Sequence, residues 1–213
     1  MPPMDSSQLL IDGPGSASAS ATLVLAHGAG APMDSPFMAT VTRSLAEAGI
    51  RVVRFEFPYM AGRRSGGRRP PDREAVLLQA WREVVAQLGG SGRLFIGGKS
   101  MGGRMASMVA DELGVHGLVC LGYPFHAPGR PEKPRIAHLL ELHTPALIVQ
   151  GARDPFGNEA AVAAYGLPPG ITVRWLADGD HDFKPRAFSG HTQASNLASA
   201  MEAASAFVRD LSA

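Results

Sequence analysis

The sequence predicts a single α/β domain: a mostly parallel central sheet with helices on both faces. Three observations carry that expectation. Short apolar runs alternate with segments of helical spacing along most of the chain. The apolar runs are continuous, with no strict two-residue alternation, as in parallel strands buried on both faces. The chain has 213 residues, enough for one domain with a sizeable core.

Each element follows in order. Residues 1–20 read as an N-terminal extension or a weak edge strand, with a short strand at 8–11 and a small, polar turn at 13–20. The domain proper is expected over 21–213. Thr22–Ala26 reads as a strand that ends at His27-Gly28. Pro36–Ala48 reads as a helix, capped by Ser35 and stopped by Gly49. Arg51–Phe57 is rich in Val and Phe, hence a strand. Asp72–Leu88 repeats apolar residues at helical spacing, and Gly89-Gly90 ends it. Arg93–Gly97, His116–Gly122, Ala146–Gln150 and Ile171–Leu176 are further strands. Met101–Leu113, Arg135–Leu142, Asn158–Tyr165 and Thr192–Leu211 are the remaining helices.

Composition narrows the function classes. Hydrophobic residues make up 45% and charged residues 18%, ordinary for a globular protein, and the formal net charge of +1 steers the chain to neither nucleic acid nor an anionic membrane. There is no run of about 18 apolar residues to span a bilayer. The N-terminus carries Asp5 and no basic stretch, unlike a signal peptide, so the expected location is the cytoplasm. The single cysteine, Cys120, sits in an apolar strand and reads as a buried, inert thiol.

In open parallel sheets, ligands bind at the carboxyl ends of the strands. Four strand ends carry chemistry here. Gly98-Lys99-Ser100-Met101-Gly102 fits G-x-S-x-G and stands between a strand and a helix, the context that gives this motif meaning. A serine on so sharp a turn needs small neighbours two residues to either side, and Gly98 and Gly102 meet that need. Gly103 allows close helix–sheet packing. Asp154 follows the strand ending at Gln150, and His181 follows the strand ending at Leu176. The order Ser, Asp, His at successive strand ends defines a nucleophile, an orienting acid and a general base. The small-residue loop His27-Gly28-Ala29-Gly30 leaves backbone N–H groups free to bind an oxyanion. The donors are placed at Met101 and at Ala29, with Gly30 as the alternative to Ala29. His27 is read as holding this loop by hydrogen bonds. His191 rivals His181 but directly precedes the last helix, where a role at the helix entry suffices.

Residues 21–213 resemble the α/β-hydrolase superfamily. The strings His27-Gly28-Ala29-Gly30, Gly98-Lys99-Ser100-Met101-Gly102-Gly103, Gly151-Ala152-Arg153-Asp154 and Gly179-Asp180-His181 look like a small, lidless group related to dienelactone hydrolases. The resemblance implies the α/β-hydrolase fold without a substantial cap domain, and the Ser100–Asp154–His181 triad. Dienelactone hydrolases use cysteine as nucleophile where this chain has Ser100, so their particular reaction does not carry over. The interval Tyr123–Pro145 is too short to build a lid.

The expected activity is therefore that of a carboxylesterase-type serine hydrolase acting on small ester-like or thioester substrates through an acyl-enzyme. It needs no metal and no organic cofactor. The alternatives are a non-catalytic binding module on the same fold, or an acyltransferase or peptidase on the same triad. One segment stands outside this reading. Residues 62–73 hold five arginines and read as a solvated loop, or else as an anion-attracting rim of the site; without interleaved aromatics, nucleic acid is not the expected partner.

Overall fold

A computed structural model of the protein describes residues 9–67, 69–89 and 93–213. Gln8, Arg68 and Gly90, which figure in the expectations above, lie outside them. Seven strands form one sheet in the order β1-β3-β2-β4-β5-β6-β7. They are β1 (Leu10–Asp12), β2 (Thr22–Ala26), β3 (Arg51–Phe55), β4 (Leu94–Lys99), β5 (Gly117–Leu121), β6 (Ala146–Gly151) and β7 (Ile171–Leu176). Only β1 runs antiparallel, pairing at the edge with β3; the other pairings are parallel.

Side-chain alternation along buried strands splits the core in two. Leu23 and Leu25 of β2 face α1 (Pro36–Glu47) and α7 (Gln193–Ser212), packing with Met38, Val41, Ala200 and Val208. Val24 and Ala26 face the other way, toward α3 (Glu74–Gln87) and α4 (Met101–Ser107), with Trp81, Val84 and Met105. This is the α/β-hydrolase fold, with helices on both faces. No helix among the described residues is long and apolar enough to cross a membrane.

The topology sets the site. The chain leaves β2 for β3 on one side, then returns to place β4 on the other. The carboxyl ends of β2 and β4 thus splay apart at a switch point, where a crevice opens.

Four expectations need correction. The arginine-rich segment is not all loop. Its first residues belong to α2 (Pro58–Arg64), with Pro58 at the first helical position and the Tyr59 N–H donating to Asp72 Oδ2 at 2.8 Å. The cap comes from 13 residues further on, which no local pattern reveals. The strand expected to reach Phe57 stops at Phe55, because the Phe57 N–H donates to His27 Nε2 at 3.1 Å and leaves the ladder.

The helix expected over Met101–Leu113 breaks after Ser107 and resumes as α5 (Ala110–Leu113). The Ser107 hydroxyl donates to the Arg104 carbonyl at 2.7 Å, a local bond that competes with the helical ladder. The helix expected over Arg135–Leu142 shrinks to a 3₁₀ turn at Ala137–Leu139. Asp111 pins the chain just beyond it, accepting from the N–H groups of His143 and Thr144 and from the Thr144 hydroxyl. The chain thus crosses from β5 to β6 without an α-helix. Elsewhere the elements lie within a few residues of expectation. They include α6 (Glu159–Ala163), whose first turn is capped by the Asn158 side chain, and α7, capped by Thr192.

Candidate active site

Ser100 sits between β4 and α4 with φ 51° and ψ −116°. A non-glycine residue with positive φ is strained by about 1–3 kcal/mol, and such strain persists only where the surroundings enforce it. The enforcing contacts are backbone. A Cβ on Gly98 would stand 2.2 Å from the Ala26 carbonyl oxygen. One on Gly102 would stand 2.6 Å from the carbonyl oxygens of both Ala26 and His27. The glycines are therefore required by the end of β2, which the turn grazes, rather than by the serine alone.

The structure brings Ser100, His181 and Asp154 together. Ser100 Oγ lies 2.9 Å from His181 Nε2, and His181 Nδ1 lies 2.7 Å from Asp154 Oδ2. A carboxylate only accepts, so Nδ1 carries the ring proton and Nε2 is free to accept from the serine hydroxyl. Asp154 is fully buried. Its Oδ1 accepts from the Phe156 N–H at 2.8 Å, and its Oδ2 also accepts from Gln150 Nε2 at 2.9 Å. The acid turn and the histidine turn are joined directly, the Arg153 N–H donating to the Gly179 carbonyl at 2.9 Å.

The loop after β2 faces the serine. His27 is completely buried; its Nδ1–H donates to the Gly28 carbonyl at 2.7 Å while Nε2 accepts from Phe57 N–H. Burial pushes the His27 imidazole below its ordinary value, the Gly28 bond opposing, so the ring stays neutral. Across a trans peptide the C=O and N–H point in opposite directions, so this bond turns the Ala29 N–H away from His27. The Tyr59 hydroxyl donates to the Ala29 carbonyl at 3.1 Å. Among the described residues, neither the Ala29 N–H nor the Met101 N–H donates to a protein acceptor.

Further along, the same loop is braced by charge. Glu56 accepts from the Met33 N–H, Arg54 donates to the Met33 carbonyl, and Arg64 pairs with Glu56 and Asp34 at 2.7 and 2.9 Å. Arg64 is therefore a brace rather than a free rim charge. Arg63 lies over the Tyr59 ring and donates to the Arg69 carbonyl at 2.8 Å.

A cavity of about 420 Å³ opens beside Ser100, its walls including Ala29, Phe37, Met38, Lys99 and Phe156. The Phe156 ring lies 4.4 Å from that of His181. A larger cleft of about 490 Å³ lies at the amino ends of β2 and β4, lined by Thr22, Arg51 and Leu94, away from the serine.

Other candidates fall elsewhere. His191 is exposed and its N–H donates to Ser189 Oγ, at the entry to α7. His116 bonds the Leu211 carbonyl, and His138 bonds Ser107 and Tyr123. Cys120 is fully buried, and burial pushes its thiol far up. Three residues escaped the sequence reading: Gln150, Phe156 and Lys99. A polar residue ending the apolar run 146–150 was the signal for Gln150, and Lys99 stood inside the motif at its unspecified position. Phe156 left no signal.

Comparisons with known proteins place this geometry in context. The sequence model of a family described as alpha/beta hydrolase domain matches residues 19–209. Among solved structures, a serine hydrolase without lid from Xanthomonas campestris is 22% identical, with a TM-score of 0.67 over 93% of this chain and 88% of that one. An alpha-beta serine hydrolase homologue from Coxiella burnetii is 17% identical, with a TM-score of 0.66 over 95% and 89%. Est1E from Butyrivibrio proteoclasticus is 15% identical, with a TM-score of 0.69 over 95% and 93%. With the family match spanning nearly its whole length, the chain belongs to the alpha/beta hydrolase domain family.

Proposed function

We propose that this protein is a serine esterase that hydrolyses small ester or thioester substrates through an acyl-enzyme. The observation that carries the reading is the unbroken hydrogen-bond chain Ser100–His181–Asp154 opening onto a cavity. Ser100 Oγ attacks the carbonyl carbon as its proton passes to His181 Nε2. Asp154 keeps the proton on Nδ1 and stabilises the imidazolium. The Met101 and Ala29 N–H groups receive the oxyanion; loss of one such donor would cost about 3 kcal/mol of transition-state stabilisation. His181 then returns the proton to the leaving alcohol. Water, deprotonated by the same nitrogen, releases the acyl group and regenerates Ser100.

The shape of the site favours short or compact acyl groups. The interval between β5 and β6 contributes a single 3₁₀ turn, so little chain is available to cover a long aliphatic tail. Each CH₂ left wet forfeits up to about 0.8 kcal/mol of binding. Phe37, Met38 and Phe156 give the cavity apolar walls suited to a compact or planar group. A structure of Est1E has been solved with ferulic acid bound, which supports a planar acyl group as one form to try. The substrates fitting this reading are water-soluble and met away from membranes, in the cytoplasm. The test is kcat/KM across p-nitrophenyl esters from acetate to palmitate. The expected profile is flat or falling with chain length. A steep optimum at long chains, or a rate jump above the micelle threshold, would refute it.

A further inference from the structure

Lys99 is a buried charge beside the triad that the mechanism above leaves idle. It ends β4, one residue before the nucleophile, and its side chain is only 9% exposed. Its ammonium donates to the main-chain carbonyl of His181 at 2.6 Å and lies 3.2 Å from Asp182 Oδ1. The Phe37 ring flanks it at 5.4 Å and the Phe183 ring at 6.0 Å. Burial pulls the lysine below its ordinary value, with Asp182 resisting. Gly122 keeps the corridor open: a Cβ there would stand 3.0 Å from Lys99 Nζ and 2.9 Å from the His181 carbonyl oxygen.

From this geometry we propose that Lys99 is a positioning residue, bolting the main chain of His181 to the strand that presents Ser100. The proposal rests on the esterase reading given above. Filling the space would need only an apolar side chain, and burying an ammonium is costly. What Lys99 adds is a charge-assisted hydrogen bond, the stronger kind, to the carbonyl of the base. The Asp182 pair contributes less, because its carboxylate is 67% exposed and screened by water.

The need is mechanical. His181 stands in the long connection between β7 and α7, and among the described residues Lys99 is the only donor to its carbonyl. The side chain is held at both ring nitrogens, but the Nε2 bond to Ser100 is broken and remade in each turnover, leaving Asp154 as the one lasting hold on the ring. A base whose main chain drifts by about 1 Å costs roughly a hundredfold in rate.

Lys99→Met keeps length and bulk and deletes the donor, whereas Lys99→Arg keeps a donor. Four quantities are compared with the unmodified protein: the melting temperature, kcat and KM for p-nitrophenyl acetate, and the downfield proton resonance of His181 Nδ1–H. Lys99→Met is expected to melt near the original temperature, to lose kcat by roughly ten- to a hundredfold, and to change KM by less than about threefold. Its Nδ1–H resonance should broaden or vanish. Lys99→Arg should recover much of both. If Lys99→Met does not fold, Lys99→Leu, which also lacks a donor, takes its place, with the same loss of resonance expected.

An unchanged kcat with an unchanged resonance would overturn the tether. A raised KM with an intact resonance would also overturn it, placing Lys99 on the substrate instead. If the unmodified protein is inert to esters, the esterase reading fails by itself. The resonance in Lys99→Met then still decides the tether: intact overturns it, lost supports it.

Discussion

Gly102→Ala tests how the end of β2 shapes the nucleophile turn. The added Cβ would lie 2.6 Å from two backbone oxygens, those of Ala26 and His27. Neither can swing aside as a side chain would. To reach ordinary contact, the start of α4 must retreat by about 0.8 Å, carrying Ser100 and the Met101 N–H with it. Overpacking of this kind costs about 1–3 kcal/mol, and the better helix propensity of alanine returns up to about 1 kcal/mol. The net loss of stability is thus about 0–3 kcal/mol. The loss of activity is a separate effect. A displacement of that size at the reacting atoms corresponds to roughly 10- to 100-fold in kcat/KM, or about 1.4–2.7 kcal/mol of barrier. Gly170→Ala is the control, since nothing lies within 4 Å of a Cβ there and the residue is outside the site. That variant should keep full activity and gain a few tenths of a kcal/mol by restricting the unfolded chain. The assay is p-nitrophenyl acetate hydrolysis beside a thermal melt of each variant. If Gly102→Ala kept kcat/KM within about twofold of the original, the close approach would not be holding the nucleophile.

Two further outcomes follow from the placement of the histidines. His181→Ala should abolish nearly all ester hydrolysis and His191→Ala should leave it intact, as read by initial rates; the opposite ranking would move the base to the entry of α7. The half-buried ring of His138 is held neutral, burial pulling its pKa down to about 4 with Arg104 adding to the shift. Below about pH 6.5 the unfolded chain takes up a proton that the folded chain refuses, so stability declines from there down to about pH 4. The slope from this half-exposed group should be no more than about 1 kcal/mol per pH unit. His138→Gln should flatten that part of the profile of urea midpoints, and an unaltered slope would count against the assignment.

Much of this architecture was legible in the sequence because its signals are local. The apolar runs of β2, β4, β5 and β6 needed no partner to be recognised, since both of their faces are buried. Ser100, Asp154 and His181 could be named because each follows a strand directly, and the parallel sheet gathers such ends at one edge. What escaped depends on distant partners. Nothing near Pro58 announces that Asp72 will cap a helix there, or that Arg64 will brace the loop after β2 through Glu56. Lys99 reads as a filler position until the chain returns 82 residues later with His181. The break in the nucleophile helix has the same character, for Ser107 bonds both its own turn and His138 on the β5–β6 crossing.

The central claim is that Ser100 is a nucleophile activated by His181. A fluorophosphonate probe tests it most directly, because phosphonylation requires an activated hydroxyl and leaves a covalent mark. Treated protein, digested and read by mass spectrometry, should carry one adduct, on the peptide containing Ser100. The adduct should be missing in Ser100→Ala and form much more slowly in His181→Ala. Labelling on another residue, labelling that survives Ser100→Ala, or equal rates with and without His181 would contradict the account.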